Sequence, residues 1–183
     1  MLTLTKATVG DLYLEKEKAE IINGEIVRFM PTGRRPNRAS GNIYLSLREH
    51  ERAALGVAVT DNAGFQVDLP GRDSFSPDAA WWDGPEAELG EDMDFYPRAP
   101  VFAAEVRSKN DYGPAAEREM AAKRADYFAA GTLVVWDVDL LSECVVMVYR
   151  HDDPTPTFYR RGETAEAEPA VPGWQMPVDD LFR

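Results

Sequence analysis

The sequence predicts an α/β (α+β) fold in which a mixed β-sheet is flanked by helices, and three observations carry that prediction. Short apolar runs succeed one another closely between residues 57 and 82, as antiparallel strands do. The stretch 101–138 reads as strand, helix, strand, an order that lays two strands parallel across a crossover. Two apolar runs each hold one carboxylate, Asp78 at the start of the first and Glu105 near the end of the second. A strand covered on both faces is nearly all apolar, so an acid within it must be paired, hydrogen-bonded or bound to a cation.

Taken in order, Thr8 is placed to cap a short amphipathic helix over residues 8–14. Asn23-Gly24 between two apolar runs is a strong hairpin signal, and Glu25 follows the turn directly. Residues 31–38 read as a loop from their Gly and Pro content, and they concentrate Arg34, Arg35 and Arg38 in an otherwise acidic chain. Those arginines are candidate phosphate contacts, with a merely solvated basic loop as the alternative. Ile43, Leu47 and Ala54 predict a helix over 37–55, with Gly56 where a C-terminal cap belongs.

Residues 57–60 and 64–69 read as strands joined by Asp61-Asn62-Ala63, and a turn at 70–74 leads into the strand with Asp78. Residues 83–100 are loop-like and strongly acidic, a surface excursion that leaves the flanking strands adjacent. A helix follows over about 114–130, ended by Gly131. Its Ala116, Met120, Lys123 and Tyr127 share one face, and Arg118, Glu119, Ala122 and Asp126 share the other. Lys123 therefore stands where the helix meets the sheet, and it either serves a site there or snorkels to solvent. Residues 132–138 and 144–149 read as antiparallel strands, 157–160 as an edge strand and 178–182 as a terminal turn.

Length and composition indicate one domain over residues 1–183, with 44% hydrophobic and 28% charged residues. No apolar run is long enough to span a bilayer and no signal-peptide core is present, so a cytoplasmic protein with no membrane partner is expected. Cys144 lies in an apolar run, as a buried inert thiol would. With 20 basic and 32 acidic residues the net charge is −12, which excludes a general DNA-coating role but not a nuclease with a local basic patch. His50 and His151 are too far apart to suggest a histidine zinc site; a metal here would take oxygen ligands, pointing to Mg2+ or Mn2+.

From the residues alone, two readings of the acids stay open. Asp78 and Glu105 hold one divalent metal between neighbouring strands, or Asp78 caps the turn after Pro77 while Glu105 pairs with Arg107. Likewise, Glu25 is either part of a site or a solvated acid at a hairpin tip.

The order of six pieces resembles the PD-(D/E)XK nuclease superfamily and, within it, the Uma-type restriction endonuclease-like proteins. They are residues 22–27 (Ile-Asn-Gly-Glu-Ile-Val), Ser76-Pro77-Asp78, residues 104–108 (Ala-Glu-Val-Arg-Ser), residues 123–131, residues 134–138 (Val-Val-Trp-Asp-Val) and residues 176–182. The resemblance implies a restriction endonuclease-like mixed sheet, a metal held by Asp78 and Glu105, and Glu25 close to that metal. Arg107 stands where the superfamily motif expects a lysine, and the resemblance implies that Lys123 on the following helix replaces it. Arg107 is a poor proton carrier because its guanidinium stays protonated.

On that basis the expected function is a Mg2+-dependent DNA endonuclease that hydrolyses phosphodiester bonds with metal-activated water, with Glu25, Asp78, Glu105 and Lys123 as catalytic residues. The alternatives are a catalytically inactive nuclease-fold module that binds DNA or protein, and an acidic mimic of nucleic acid. Symmetry favours a homodimer for an enzyme that cuts both strands.

Overall fold

The structure, a computed structural model, describes residues 6–52, 54–89 and 93–183. In chain order its elements are α1 (Val9–Leu12), β1 (Ala19–Ile22), β2 (Glu25–Arg28), α2 (Arg34–His50), β3 (Val57–Thr60), β4 (Phe65–Leu69), β5 (Arg72–Phe75) and β6 (Ala79–Trp82). Then follow β7 (Phe102–Val106), α3 (Pro114–Ala129), β8 (Val134–Val138), β9 (Cys144–Arg150), β10 (Asp153–Arg160), β11 (Thr164–Glu166) and β12 (Gln175–Pro177). Short 3-10 turns lie at Glu86–Glu88 and Val178–Phe182.

A six-stranded sheet of order β10-β9-β8-β7-β6-β3 forms the centre, a four-stranded sheet of order β2-β1-β5-β4 lies against it, and β11 pairs with β12. Only β7 and β8 are parallel in the central sheet, joined through α3, so the sheet is mixed as expected. One face packs against α2: Ala39, Ile43 and Leu47 meet Ala58, Ala79, Trp81, Phe102, Ala104 and Trp136. On the other, Ala80, Trp82, Ala103 and Val135 meet Phe65 and Phe75 of the second sheet and Tyr127 of α3. This double cover explains why β6 and β8 are buried at every position.

Local chemistry accounts for most boundaries. Thr8 donates from both N and Oγ1 to Asp11 Oδ2 at 2.7 Å, fixing the first turn of α1. Asn23 and Gly24 adopt φ 53° and 77°, the pair of left-handed residues that a tight two-residue hairpin needs between β1 and β2. Four expectations need correction. The stretch 70–74 is not wholly a turn, because β5 begins at Arg72 and pairs with both β4 and β1. The arginine segment is not a loop, because α2 already begins at Arg34; Pro36 fits its first turn, where the missing N–H has no helical acceptor to lose.

That helix also ends at His50, not residue 55, and Gly56 at φ 132° is instead part of the approach to β3. Finally, β3 and β4 do not pair with each other. The first is an edge of the central sheet against β6 and the second pairs with β5, so Asp61-Asn62-Ala63 carries the chain between sheets. Cys144 opens β9 half-buried.

A Cβ at Gly56 would approach Trp81 Nε1 to 2.4 Å, and the backbone there is one that L side chains rarely adopt. Gly56→Ala is therefore expected to destabilise the fold by about 1–3 kcal/mol. Urea unfolding followed by tryptophan fluorescence should show a lower midpoint at unchanged m-value.

Candidate functional site

The register of the central sheet brings the acids together. β6 and β7 pair Ala79 with Ala104, so one step further along Asp78 comes opposite Glu105. Backbone N of Asp78 donates to the Ala104 carbonyl at 3.1 Å, and Asp78 Oδ2 accepts from Val106 N at 2.7 Å. Alternation sends both side chains to the face of Ala80 and Ala103, which is covered by the second sheet and α3. Asp137 of β8 stands beside Glu105 in the parallel register.

Lys123 reaches this point from α3. Its Nζ lies 2.9 Å from Glu105 Oε1 and 3.0 Å from Glu20 Oε1, with the side chain only 20% exposed. Snorkelling to solvent is thereby excluded. One helical turn later, Tyr127 donates its hydroxyl to Glu105 Oε1 at 2.7 Å, while its ring stacks on Phe75 at 4.0 Å.

Glu20, Lys18, Asp61 and Arg72 complete the cluster. Glu20 of β1 is 1% exposed, accepts from Ser76 N at 3.0 Å and pairs with Arg72 Nη1 at 2.5 Å. Arg72 Nε also pairs with Asp126 at 2.8 Å, so this acid, expected on the outer face of α3, meets the second sheet instead. Lys18 Nζ lies 2.5 Å from Asp61 Oδ1 and 3.2 Å from Asp78 Oδ1.

The group thus sets three cations, Lys18, Arg72 and Lys123, against five carboxylates, Glu20, Asp61, Asp78, Glu105 and Asp126, a formal excess of two negative charges. Burial raises the Glu105 carboxyl above its ordinary value, and Asp78 and Glu20 add to that against the opposing pull of Lys123. Burial disfavours the charge on Lys123, yet Glu105 and Glu20 hold its ammonium well above the ordinary lysine value. Lys18 is raised in the same way by Asp78 and Glu105. Glu20 is held below its ordinary value despite its burial, by Lys123 and Arg72.

A divalent cation fits this chemistry. Asp78 and Glu105 offer hard oxygens facing each other where two positive charges are lacking, and an ionised carboxylate keeps acceptor sites beyond those used by Lys18, Lys123, Tyr127 and Val106 N. Among the described residues no group of three or more His, Cys, Asp or Glu side chains is arranged to hold a metal. Two carboxylates would therefore be supplemented by water and phosphate oxygens, as Mg2+ commonly is.

Other expected residues lie elsewhere. Glu25 is exposed at the turn end of β2 and takes part in none of the ion pairs of the cluster; the acid that the first hairpin contributes is Glu20. Glu20 carried the same signal as Asp78 and Glu105, an acid inside an apolar run, Ala19-Glu20-Ile21-Ile22. Arg107 does not pair with Glu105 and is not a substitute for the lysine. It is 7% exposed, its Nε lies 2.7 Å from Asp137 Oδ1, and it also grips Glu117.

Arg34, Arg35 and Arg38 do not join the acids. They line a separate cavity of about 790 Å³ with Arg161, Phe182 and Arg183.

Glu20→Gln would leave Arg72 and Lys123 short of a buried counter-charge, a loss expected at about 3 kcal/mol. Because the folded pKa of Glu20 is lowered, its stabilisation is present above the ordinary glutamate value and is lost as pH falls through the folded one. Urea titrations from neutral to acid pH should show a shallower acid-side decline in the variant than in the parent.

Comparisons with known proteins agree with this architecture. A crystal structure described as a putative nuclease belonging to DUF820, from Anabaena variabilis ATCC 29413, superposes with a TM-score of 0.73 at 17% identity, covering 96% of this chain and 97% of that one. No curated protein matches the chain. The family described as "Uma2: Putative restriction endonuclease" matches residues 10–179, nearly the whole chain. With that match spanning nearly the whole chain, the chain belongs to the Uma2 family, whose members are described as putative restriction endonucleases.

Proposed function

We propose that the protein is a divalent-metal-dependent DNA endonuclease whose reaction centre is Asp78, Glu105 and Lys123. The observation that carries this reading is the convergence of two facing carboxylates, one just before β6 and one in β7, with an ammonium from α3, at a point two positive charges short of neutrality. A bound Mg2+ or Mn2+ supplies Lewis acidity, polarising a phosphate oxygen and lowering the pKa of water at the site.

The chain's own residues supply the rest. Asp78, fixed by the Val106 N–H, and Glu105, fixed by Tyr127, present the hard oxygens that hold the cation. Lys123, held between Glu105 and Glu20, is placed to stabilise negative charge on the scissile phosphate or to orient the attacking water. Glu20 anchors Lys123 from the second sheet. Lys18 sits beside Asp78 as a second fixed cation facing the same phosphate position. Cutting both strands would bring two copies together as a homodimer, which light scattering on the protein–DNA complex would reveal.

A second reading is favoured by one observation: both oxygens of Asp78 already have internal donors, Lys18 and Val106 N. On that reading the fold is an inactive binding module whose acids are structural. Calorimetric titration with Mn2+ separates the two, because the enzyme should bind metal with heat lost in Asp78→Ala and Glu105→Ala, whereas the module should bind none through these residues.

In a plasmid-nicking assay with Mg2+, Asp78→Ala and Glu105→Ala are expected to abolish activity, as chelator does to the parent protein. Activity that survives these changes would reject the mechanism. Lys123→Ala should reduce the rate by about 100-fold or more, the cost of removing one fixed transition-state donor. Glu25→Ala should leave it near the parent value, since that side chain stands outside the cluster.

A further inference from the structure

The cavity at the beginning of α2 has a composition unlike the rest of the molecule. Five arginines, Arg34, Arg35, Arg38, Arg161 and Arg183, line a space of about 790 Å³ together with Phe182. All five are exposed, in a chain whose net charge is −12. Arg161 pairs with Asp179 and stacks over the Phe182 ring at 4.0 Å, and Arg183 lies 3.0 Å from Asp180. Arg38 donates to the backbone oxygen of Arg183 at 2.8 Å, while Arg34, Arg35 and Arg38 form no ion pair with a carboxylate of the described residues. Their side chains set five cations against two acidic side chains, Asp179 and Asp180, in one concavity.

Its position relative to the acidic centre follows from the direction of α2. Ser40 donates to the Asp78 carbonyl at 2.8 Å, and His50 at the far end of the helix approaches Trp81 at 5.9 Å. The helix therefore begins at the Asp78 end of β6. Arg34 precedes Ser40 by about 9 Å along the axis and Arg38 by about 3 Å. Leu140, just past the end of β8, also lines the cavity. Cavity and acids thus share one end of the central sheet but lie on opposite faces of it, since α2 covers the face of Ala79 and the acids point to the face of Ala80.

We infer that this cavity binds backbone phosphates of the nucleic-acid strand a few nucleotides from the scissile bond, so that the strand bends around the end of the sheet from the α3 face to the α2 face. The inference rests on the nuclease reading above for the identity of the strand. Guanidinium forks suit phosphate oxygens bidentately, which is what five arginines in a concave site offer. Contacts of this kind position a strand without reading its sequence.

The test uses fluorescence anisotropy of a fluorescein-labelled duplex oligonucleotide with the full protein in chelator, where no cutting occurs. The triple variant Arg34→Ala, Arg35→Ala, Arg38→Ala should bind about 10-fold or more weakly, equally for unrelated sequences, with the slope of log K against log salt shallower by about one per arginine removed. Changing the same three to lysine keeps the charge and should restore most of the slope, and thermal unfolding at the parent midpoint would show both variants folded.

An affinity and slope unchanged by the alanine variant would overturn the assignment. So would displacement of the duplex by a nucleoside monophosphate at equal concentration, which would make this a small-anion site. The nuclease reading is judged separately, by Mg2+-dependent cutting of the plasmid by the parent protein; loss of that reading leaves the binding results standing as a phosphate site without chemistry.

Discussion

Among the described residues, Lys123 is the one cation shared by acids of both large sheets. Glu20 reaches it from β1 and Glu105 from β7, each within 3.0 Å of its Nζ. Neither carboxylate is tolerable in so enclosed a place without a counter-charge, and a lysine there is equally dependent on them. The requirement for charge balance therefore ties the second sheet, the central sheet and α3 into one arrangement. Tyr127, one turn along, adds a hydroxyl to Glu105 and an aromatic face to Phe75, so the helix is held to the sheet by apolar and polar contacts on the same stripe. Because the cluster remains two positive charges short, that arrangement is also suited to receive a divalent cation.

A second set of buried charges lies next to the first and has a different task. Arg107 is gripped by Asp137 and Glu117, its guanidinium held above even its ordinary value by the Asp137 hydrogen bonds. Arg124 stacks over Tyr149 at 3.6 Å and stands 3.9 Å from Asp137. These contacts pin the ends of β7 and β8 to the start of α3. They also explain why a cation two residues after Glu105 cannot serve the acid pair: its donors are already directed at β8 and α3. The helix supplies the ammonium instead, from a residue whose backbone lies above the sheet and whose side chain can point down onto Glu105.

Charge is distributed unevenly over the molecule. A net −12 repels a polyanion at a distance, whereas the end of the central sheet collects Arg34, Arg35, Arg38, Arg161 and Arg183 around one cavity. Screening confines surface fields to about 8–10 Å at ordinary ionic strength, so a local basic site can operate within an acidic protein. Such segregation would bring a nucleic acid to one end of the sheet and discourage it from the remaining surface.

Much was written in local sequence. Alternation and apolar runs located most strands but not β5, β11 and β12, Asn23-Gly24 marked the first hairpin, and the 3.6-residue period put Lys123 and Tyr127 on the inward stripe of α3. Asp78 and Glu105 were visible as acids where acids do not belong, because burial of a charge is costly wherever a strand is covered twice. The parallel pair β7–β8 and the adjacency of β6 and β7 were legible, but the assignment of strands to separate sheets was not. Nothing local indicates that β3 and β4 belong to different sheets, that Glu20 and not Glu25 reaches the centre, or that Lys18 and Asp61 meet Asp78. Each depends on which strand lies beside which, a choice made by the summed packing of both faces. Likewise, Arg161 and Arg183 join the arginines of α2 only because the last turn of the chain folds back over that helix. Residue types and periods thus determined the elements and the anomalous acids; the tertiary structure alone decided their company, since proximity between distant segments is a property of the whole core.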